Sequence, residues 1–264
     1  LNQIDIGAEI SLPGAQFQNN LDVSGNYAYV VDFDTGLFII DISNPLSPIF
    51  VNHHPLNNQF ANSIKIVKYN NGAQSIAYVG HFGLENECLS VHDVTNPNNI
   101  VFLGAYACTP ESNFNLAPIQ QINLIPIVKY AAFSMFVYGN RLYLANGYTG
   151  LEIFGISTPT PVRIGYYDAN SLVFDVFTRA NNAVYISTLE RGLLRLNLAN
   201  PNNPQLSGQY LDNMLITRGV TGDANYIYLA GAEITNNYNM NNIWNILQTS
   251  SPTLYSILLQ LSLI

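Results

Sequence analysis

Residues 25–45 read Gly-Asn-Tyr-Ala-Tyr-Val-Val-Asp-Phe-Asp-Thr-Gly-Leu-Phe-Ile-Ile-Asp-Ile-Ser-Asn-Pro, and this stretch decides the fold. Tyr27, Tyr29 and Val31 recur every second residue, which is the period of a β-strand and not of a helix. Gly36 permits a positive φ in a turn, and Pro45 ends the stretch in a second turn that needs no backbone donor. The stretch therefore predicts short strands bounded by turns.

The same pattern occurs five times along the chain. In each copy a strand Tyr is followed by a turn that ends in Pro, and the pairs are Tyr29–Pro45, Tyr78–Pro97, Tyr143–Pro159, Tyr185–Pro201 and Tyr228–Pro252. The first, third and fourth pairs have the same sequence separation. Repeats of about 40–50 residues with several short strands each are typical of a β-propeller.

We therefore expect an all-β protein, a β-propeller with five blades of four antiparallel strands, as one domain over residues 1–264. The first blade is predicted at residues 20–24, 27–32, 37–42 and 48–53. A part of a larger six- or seven-bladed propeller is the alternative, because residues 4–14 and 253–261 both resemble an outer strand of the last blade. A β-sandwich rarely repeats so regularly, and a β-helix has a shorter period.

Composition excludes some classes of function. Only 10% of the residues are charged, and 9 Lys and Arg against 17 Asp and Glu give a net charge of −8. A basic surface for nucleic acid is therefore not expected. No apolar stretch reaches membrane-spanning length, so no membrane span is predicted.

The two cysteines, Cys88 and Cys108, lie symmetrically about Asn98 in a predicted turn. In a hairpin centred on that turn they face each other across two strands, close enough for a disulfide. Two separate buried thiols are the alternative. A disulfide indicates an oxidising compartment, so we expect an extracellular, cell-surface or periplasmic location.

These residues resemble the LVIVD-repeat propellers, a family that repeats a Gly-Asn-Tyr-Ala-Tyr-Val strand, a Gly-Leu and an Ile-Ile-Asp-Ile-Ser-Asn-Pro turn. The match is close over residues 25–48, good over 75–104, 139–165 and 182–208, and poor in the fifth copy. The resemblance implies a secreted or surface-exposed, mostly bacterial propeller. It transfers no catalytic residue, because its motif positions are turn and core residues.

An insertion at about residues 109–131 lengthens the connection between the second and third copies. It contains several Ile, Leu and Pro residues, which is unlike a solvated linker. Such a loop packs either on a neighbouring blade or on another chain. We expect it to bind a protein partner or a second copy of this chain.

Imidazole and carboxylate side chains are predicted on the face that carries the loops between second and third strands. The candidates for a divalent metal or another ligand are Asp32, Asp34, His53, His54, His81, Glu85 and Glu87. They show no metal-ligand spacing, so ordinary solvated loop residues are the alternative, and no other cofactor is expected.

Ionisable residues on the innermost strands, Asp22, Lys65, Asp175 and Arg218, are predicted to line a central channel. A pair of carboxylates for glycoside hydrolysis, Asp22 and Asp175, is the alternative interpretation. The sequence contains no nucleophile elbow and no phosphate-binding loop.

The favoured hypothesis is a non-catalytic propeller that serves as a protein-interaction or structural module. The alternative is a carbohydrate-binding module or glycoside hydrolase-like enzyme. Its loop face would use aromatic stacking surfaces at Tyr148, Tyr166, Tyr167, Tyr238 and Trp244.

Overall fold

The computed structural model describes residues 7–56, 60–83, 87–108, 130–211 and 215–233, and these ranges are almost entirely β-strand and turn. The first eight strands are β1 (Gln18–Ser24), β2 (Tyr27–Asp32), β3 (Gly36–Asp41), β4 (Ile49–His54), β5 (Phe60–Tyr69), β6 (Gln74–Gly83), β7 (Glu87–Asp93) and β8 (Val101–Ala107). The other ten are β9 (Tyr130–Tyr138), β10 (Arg141–Asn146), β11 (Leu151–Gly155), β12 (Val162–Tyr167), β13 (Val173–Ala180), β14 (Ala183–Thr188), β15 (Gly192–Asn197), β16 (Gln205–Tyr210), β17 (Leu215–Gly222) and β18 (Ile227–Glu233). A single 3-10 turn, Asn70–Gly72, interrupts this pattern within the described ranges.

The strands form antiparallel sheets in chain order. β1–β4, β5–β8, β9–β12 and β13–β16 are four-stranded blades, and β17 pairs with β18. The first strands of successive blades contact one another, β1 with β5, β5 with β9, β9 with β13 and β13 with β17. The end of β6 also pairs with the start of β9, which joins the second and third blades.

The repeated turn between third and fourth strands is a pair of Asx turns. In the first blade Asp41 Oδ1 accepts the backbone N–H of Ser43 at 2.8 Å, and Asn44 Oδ1 accepts that of Leu46 at 3.2 Å. The second blade repeats both bonds at Asp93 and Asn96, and the fourth at Asn197 and Asn200. Short side chains that satisfy nearby backbone donors explain why the sequence keeps Asp, Asn and Pro here.

The Gly of the Gly-Leu motif is required by a close backbone approach. Gly36 has a φ of 116° and Gly150 a φ of 94°. A Cβ at these positions would overlap the carbonyl oxygens of His54 and Tyr167, which are the last residues of the fourth strands of the same blades. The second copy differs, because Gly83 ends β6 and pairs with Tyr130.

The hydrophobic core lies between neighbouring blades. One cluster joins the first two blades through Tyr29, Val31 and Val79, and equivalent clusters join the second blade to the third and the third to the fourth. Two side chains reach the turn Pro of the following blade: Asn52 Nδ2 donates to Pro97 O at 2.9 Å, and Tyr78 OH to Pro159 O at 3.1 Å.

The sequence predicted the first blade to within two residues at every strand end. The five repeat tyrosines lie in the second strands of their copies, β2, β6, β10, β14 and β18. The predicted insertion ends too late, because Tyr130 and Ala131 belong to β9 and Ala131 pairs with Phe82. Residues 109–129, 4–6 and 253–261 lie outside the described residues. In the ranges that the structure describes, no helix is long and apolar enough to cross a membrane.

Candidate functional site

Each of the five first strands carries a β-bulge near its start. The residue without a cross-strand partner is, in chain order, Asn19, Asn62, Phe133, Phe174 and Arg218. The bulges lie at the end of the blades that carries the loops between second and third strands. Bulges redirect side chains and recur beside binding sites. We refer to these five residues as the bulge row.

Neighbouring members of the bulge row contact one another or the next blade. Asn19 Nδ2 donates to Ala61 O at 3.4 Å, and Asn62 Nδ2 donates to Ala132 O at 2.9 Å. The rings of Phe133 and Phe174 are 5.3 Å apart, and the Arg218 guanidinium carbon lies 5.3 Å from the centre of the Phe174 ring. The row therefore combines amide, aromatic and cationic groups.

A chain of aromatic rings extends the row towards the first blade. Phe82 is 5.3 Å from Phe133, Phe33 is 5.6 Å from Phe82, and Phe60 stacks on Phe33 at 4.7 Å. Phe33 lies in the loop after β2 and Phe82 near the end of β6, so these rings belong to the same loop end. Phe60 and Phe133 are half-buried and leave ring surface accessible.

Arg218, predicted to line a channel, lies on the bulge of β17 and is half-buried. Its Nε is buried and has no hydrogen-bond partner, and neither of the two ion pairs found among the described residues includes it. Burial lowers the pKa of this guanidinium from its usual value. Arg218 is thus a partly desolvated cation held against an aromatic face.

The other three predicted channel residues come together on the first strands. Lys65 Nζ lies 3.5 Å from Asp22 Oδ1, and Asp22 Oδ2 accepts the N–H of Ile66 at 2.7 Å. Asp175 Oδ2 accepts the N–H of Val220 at 2.8 Å. Burial raises the pKa of Asp175, opposed by a Ser134 hydrogen bond and the charge of Lys65. Each of the two carboxylates, Asp22 and Asp175, thus accepts a backbone N–H of the next blade. The acids that the alternative interpretation assigned to glycoside hydrolysis therefore stabilise the contacts between blades.

Asp32 connects the segment before β1 to the loop between β2 and β3 in the first blade. Its carboxylate accepts six hydrogen bonds, from the N–H groups of residues 16, 17, 34 and 35 and from the side chains of Gln18 and Thr35. Burial favours the neutral acid, but these donors outweigh it and lower the pKa of Asp32. Asp34 is exposed, and partial burial of its carboxyl together with the Asp32 charge raises its pKa.

Three histidines, His54, His81 and His92, meet where the first two blades are in contact. We refer to His81, Ser90 and His92, which are buried and joined by hydrogen bonds, as the buried relay. Ser90 Oγ lies 2.6 Å from His81 Nε2 and 2.8 Å from His92 Nε2, and His54 meets the His92 ring edge-on at 5.3 Å. Burial lowers the pKa of His81 to about 3 and that of His92 to about 4, and a second imidazole nearby adds to each effect. His81 is therefore a strand residue of β6, not the loop residue that the sequence predicted. The reason is that β6 runs on to Gly83.

His53 does not join this relay. Its ring stacks on Phe38 at 4.3 Å, and Nε2 lies 2.7 Å from Thr35 O. Glu87 begins β7 and is exposed, whereas Glu85 lies outside the described residues. Across the described ranges, no group of three His, Cys, Asp or Glu side chains is arranged to hold a metal ion.

A further polar group lies beside the bulge row on the fourth blade. Ser171 Oγ donates to Glu190 Oε2 and accepts the Glu190 N–H at 3.0 Å. Desolvation raises the pKa of Glu190, with the Ser171 bond opposing. Tyr148 packs with Phe174 and Leu189, and burial followed by the Glu190 charge raises its pKa.

The remaining stacking candidates lie elsewhere. Arg163 lies over the Tyr166 ring, and Tyr167 packs on the core between the third and fourth blades. Tyr238 and Trp244 fall outside the residues that the structure describes.

The predicted disulfide is present. Cys88 and Cys108 are bonded across β7 and the end of β8, with Cα atoms 5.6 Å apart. A bulge at Cys88 shifts the register between β7 and β8 by one residue, so the two strands do not pair as the regular hairpin that the sequence predicts.

Sequence reasoning missed four members of the bulge row, Asn19, Asn62, Phe133 and Phe174. A bulge depends on the register with the partner strand, which the local sequence does not state. The available signal is comparative: in all five copies an apolar residue follows the bulge residue by two positions, namely Leu21, Ile64, Met135, Val176 and Val220.

Comparison with known proteins supports the repeat and the fold. Residues 18–54 match the family model of the LVIVD repeat, so this part of the chain is an LVIVD repeat, as its sequence predicted. No curated protein sequence matches the chain.

Three solved structures are similar in fold. Raptor from Chaetomium thermophilum has a TM-score of 0.55 at 12% identity and covers 83% of this chain and 19% of its own. A functionally unknown protein from Desulfotomaculum acetoxidans has 0.54 at 13% identity, covering 84% and 64%. The computationally designed Ika8 protein has 0.50 at 12% identity, covering 84% and 70%. At these identities the similarity concerns the fold alone.

Proposed function

We propose that this chain is a non-catalytic, five-bladed β-propeller that acts as a protein-interaction or structural module. In this proposal β17 and β18 are the inner half of a fifth four-stranded blade, since they follow the same order as the first two strands of every other copy. A secreted, cell-surface or periplasmic location in a bacterium fits the Cys88–Cys108 disulfide.

The observation that carries the proposal is an exposed apolar edge on the second blade. Val101, Phe102 and Leu103 are consecutive in β8 and are 48%, 54% and 44% exposed. Consecutive strand residues point to opposite faces, so this strand presents apolar surface on both sides. β8 pairs only with β7, which leaves its other edge without a strand partner among the described residues. Exposed apolar edges of this kind mark interaction surfaces.

This exposed strand, β8, is followed directly by the long connection to β9. The other blades are linked by short connections, residues 55–59, 168–172 and 211–214. The connection between β8 and β9 is much longer and consists of residues 108–129. We therefore propose that residues 101–103 and the following insertion form one contact surface for a protein partner or a second copy of the chain. The disulfide holds Cys108, the residue before the insertion, against β7.

The polar candidates support a non-catalytic role because their hydrogen bonds hold the blades together. Asp32 braces a loop, Asp22 and Asp175 bridge successive blades, and His81 lies in a buried relay. The carbohydrate alternative has less support, since Tyr148 and Tyr167 pack against core clusters.

The test is light scattering on size-exclusion chromatography over a range of protein concentrations. Phe102→Ser should abolish self-association or binding of a co-purifying protein while the melting temperature changes little. Val162→Ser is the matched control, because Val162 is 61% exposed on the outer strand of the third blade. A second variant replaces residues 109–129 with a Gly-Ser linker as long as residues 168–172.

Loss of association in both test variants, with the control unchanged, supports the contact surface. If the linker variant instead melts far lower and associates as before, the insertion covers the core and the proposal is wrong. A monomeric wild type that co-purifies with no partner at any concentration also contradicts it.

A further inference from the structure

The strongest unassigned feature of the molecule is the positive end of the bulge row. Arg218 is half-buried, its Nε has no partner, and no carboxylate among the described residues lies within ion-pair distance. Removing a cation from water without an anionic partner is costly, so folded proteins usually pair such groups. The arrangement is therefore suited to an anion that comes from outside the chain.

The acids of the inner strands, and Glu190 beside the bulge row, already have hydrogen-bond or ion-pair partners. Asp175 on β13 faces Gly219 on β17 and accepts the N–H groups of Val176 and Val220. Asp22 is paired with Lys65. The negative groups of the first strands thus stabilise the contacts between blades and leave the Arg218 charge uncompensated.

The surroundings of Arg218 favour a ligand that carries an apolar group as well as a negative charge. Its guanidinium lies over the face of Phe174, a core ring that is only 8% exposed, and the half-buried Phe133 ring lies 5.3 Å from Phe174. A guanidinium that stacks on a ring keeps its N–H edge in the plane, where a carboxylate can accept two parallel hydrogen bonds. Beyond the rings, Asn62 and Asn19 place amide groups along the same row.

We propose that the bulge row binds a small organic carboxylate that carries a flat apolar group. The carboxylate pairs with Arg218, which the buried Phe174 ring holds in place, and the apolar group lies along the half-buried Phe133 ring next to it. This binding goes beyond the proposed protein-interaction role and uses a different surface, since β8 is an outer strand and the bulges are on inner strands.

The probe is benzoate, titrated by calorimetry and by thermal shift into the intact, oxidised protein. Benzoate should bind and raise the melting temperature in proportion to its occupancy, whereas benzamide, which lacks the charge, should do neither. Glucuronate and inorganic phosphate are the comparison anions. Benzoate should bind at least about tenfold more tightly than either, because only benzoate can use the rings.

Variants at two positions, each with a matched control, locate the site. Arg218→Gln should weaken benzoate binding at least about tenfold, and Arg218→Lys should weaken it as well because Lys loses the bidentate geometry. Arg141→Gln is the control, since Arg141 donates to Asn181 O on an exposed turn. Phe174→Leu should weaken binding about threefold or more, while Phe136→Leu, in a separate ring pair with Phe177, should not.

If Arg218→Gln does not fold, the Arg218→Lys and Phe174→Leu results decide the matter. Absence of benzoate binding to the wild type overturns the proposal. Equal binding of benzoate by wild type, Arg218→Lys and Phe174→Leu also overturns it. Tighter binding of glucuronate or phosphate than of benzoate refutes the apolar part of the assignment.

Discussion

Mild acid should destabilise this protein because two histidines are buried between its first and second blades. His81 and His92 are each 1% exposed and share Ser90 as a hydrogen-bond partner. Burial lowers their pKa values to about 3 and about 4, from 6.5. The folded protein therefore keeps both imidazoles neutral at a pH where the unfolded chain has already taken up protons.

The sign and the magnitude follow from proton linkage. Above pH 6.5 both states hold the histidines neutral, and their contribution to the free energy of unfolding is fully present. Below pH 6.5 each histidine lowers that free energy by about 1.4 kcal/mol per pH unit, until the pH reaches its folded pKa. Between pH 7 and pH 5 the two together should lower it by about 4 kcal/mol. The Asp32 pKa is lowered from 3.8, so its effect appears at more acidic pH.

Urea unfolding followed by far-ultraviolet circular dichroism at pH 7 and pH 5, at constant ionic strength, measures the difference. The double variant His81→Gln/His92→Gln should lose most of the pH dependence, whatever its stability at pH 7. Ser90→Ala should be less stable at both pH values by about 1–3 kcal/mol, because it removes a buried partner, yet keep the same pH dependence. A wild type whose unfolding free energy changes by less than about 1 kcal/mol between the two pH values refutes the buried, neutral relay.

Two further predictions concern the braces of the fold. The double variant Cys88→Ala/Cys108→Ala should unfold more easily by about 3 kcal/mol at most, and non-reducing mass spectrometry should find the linked peptide only in the wild type. Asp32→Asn should lower the unfolding free energy by about 3 kcal/mol or more, because an amide nitrogen replaces an oxygen that accepts three hydrogen bonds. The control is Asp41→Asn in an exposed Asx turn, where the amide oxygen can still accept the Ser43 N–H, and thermal melts compare the two variants. An equal, small effect at both sites would show that the Asp32 hydrogen bonds contribute little.

The blades were predictable because their signals are local. Alternation at Tyr27, Tyr29 and Val31, a Gly forced by a close backbone approach, and Asx turns at Asp41 and Asn44 all act within one copy. Five repetitions of these signals then indicate the architecture. The disulfide was predictable for the same reason, since Cys88 and Cys108 flank one hairpin.

The site was less predictable because it depends on register between distant strands. The pattern of the first copy predicts a loop at His81, but β6 continues and pairs with β9, which no single copy can reveal. The sequence predicts Arg218 only as an ionisable residue on an inner strand. Its position over Phe174 depends on bulges in β13 and β17, and these appear only when the strands are paired.

The hydrogen bonds to the turn prolines bear on how such a chain can change in evolution. Asn52 and Tyr78 donate to the backbone oxygens of Pro97 and Pro159, so at these two joints a blade contacts the main chain of its successor and not a particular side chain there. A duplicated copy would present the same oxygen and would be accepted by its predecessor with few compensating substitutions. We therefore expect exchange of copies to be tolerated at these two joints, whereas the side chains of the bulge row differ from blade to blade and are not interchangeable.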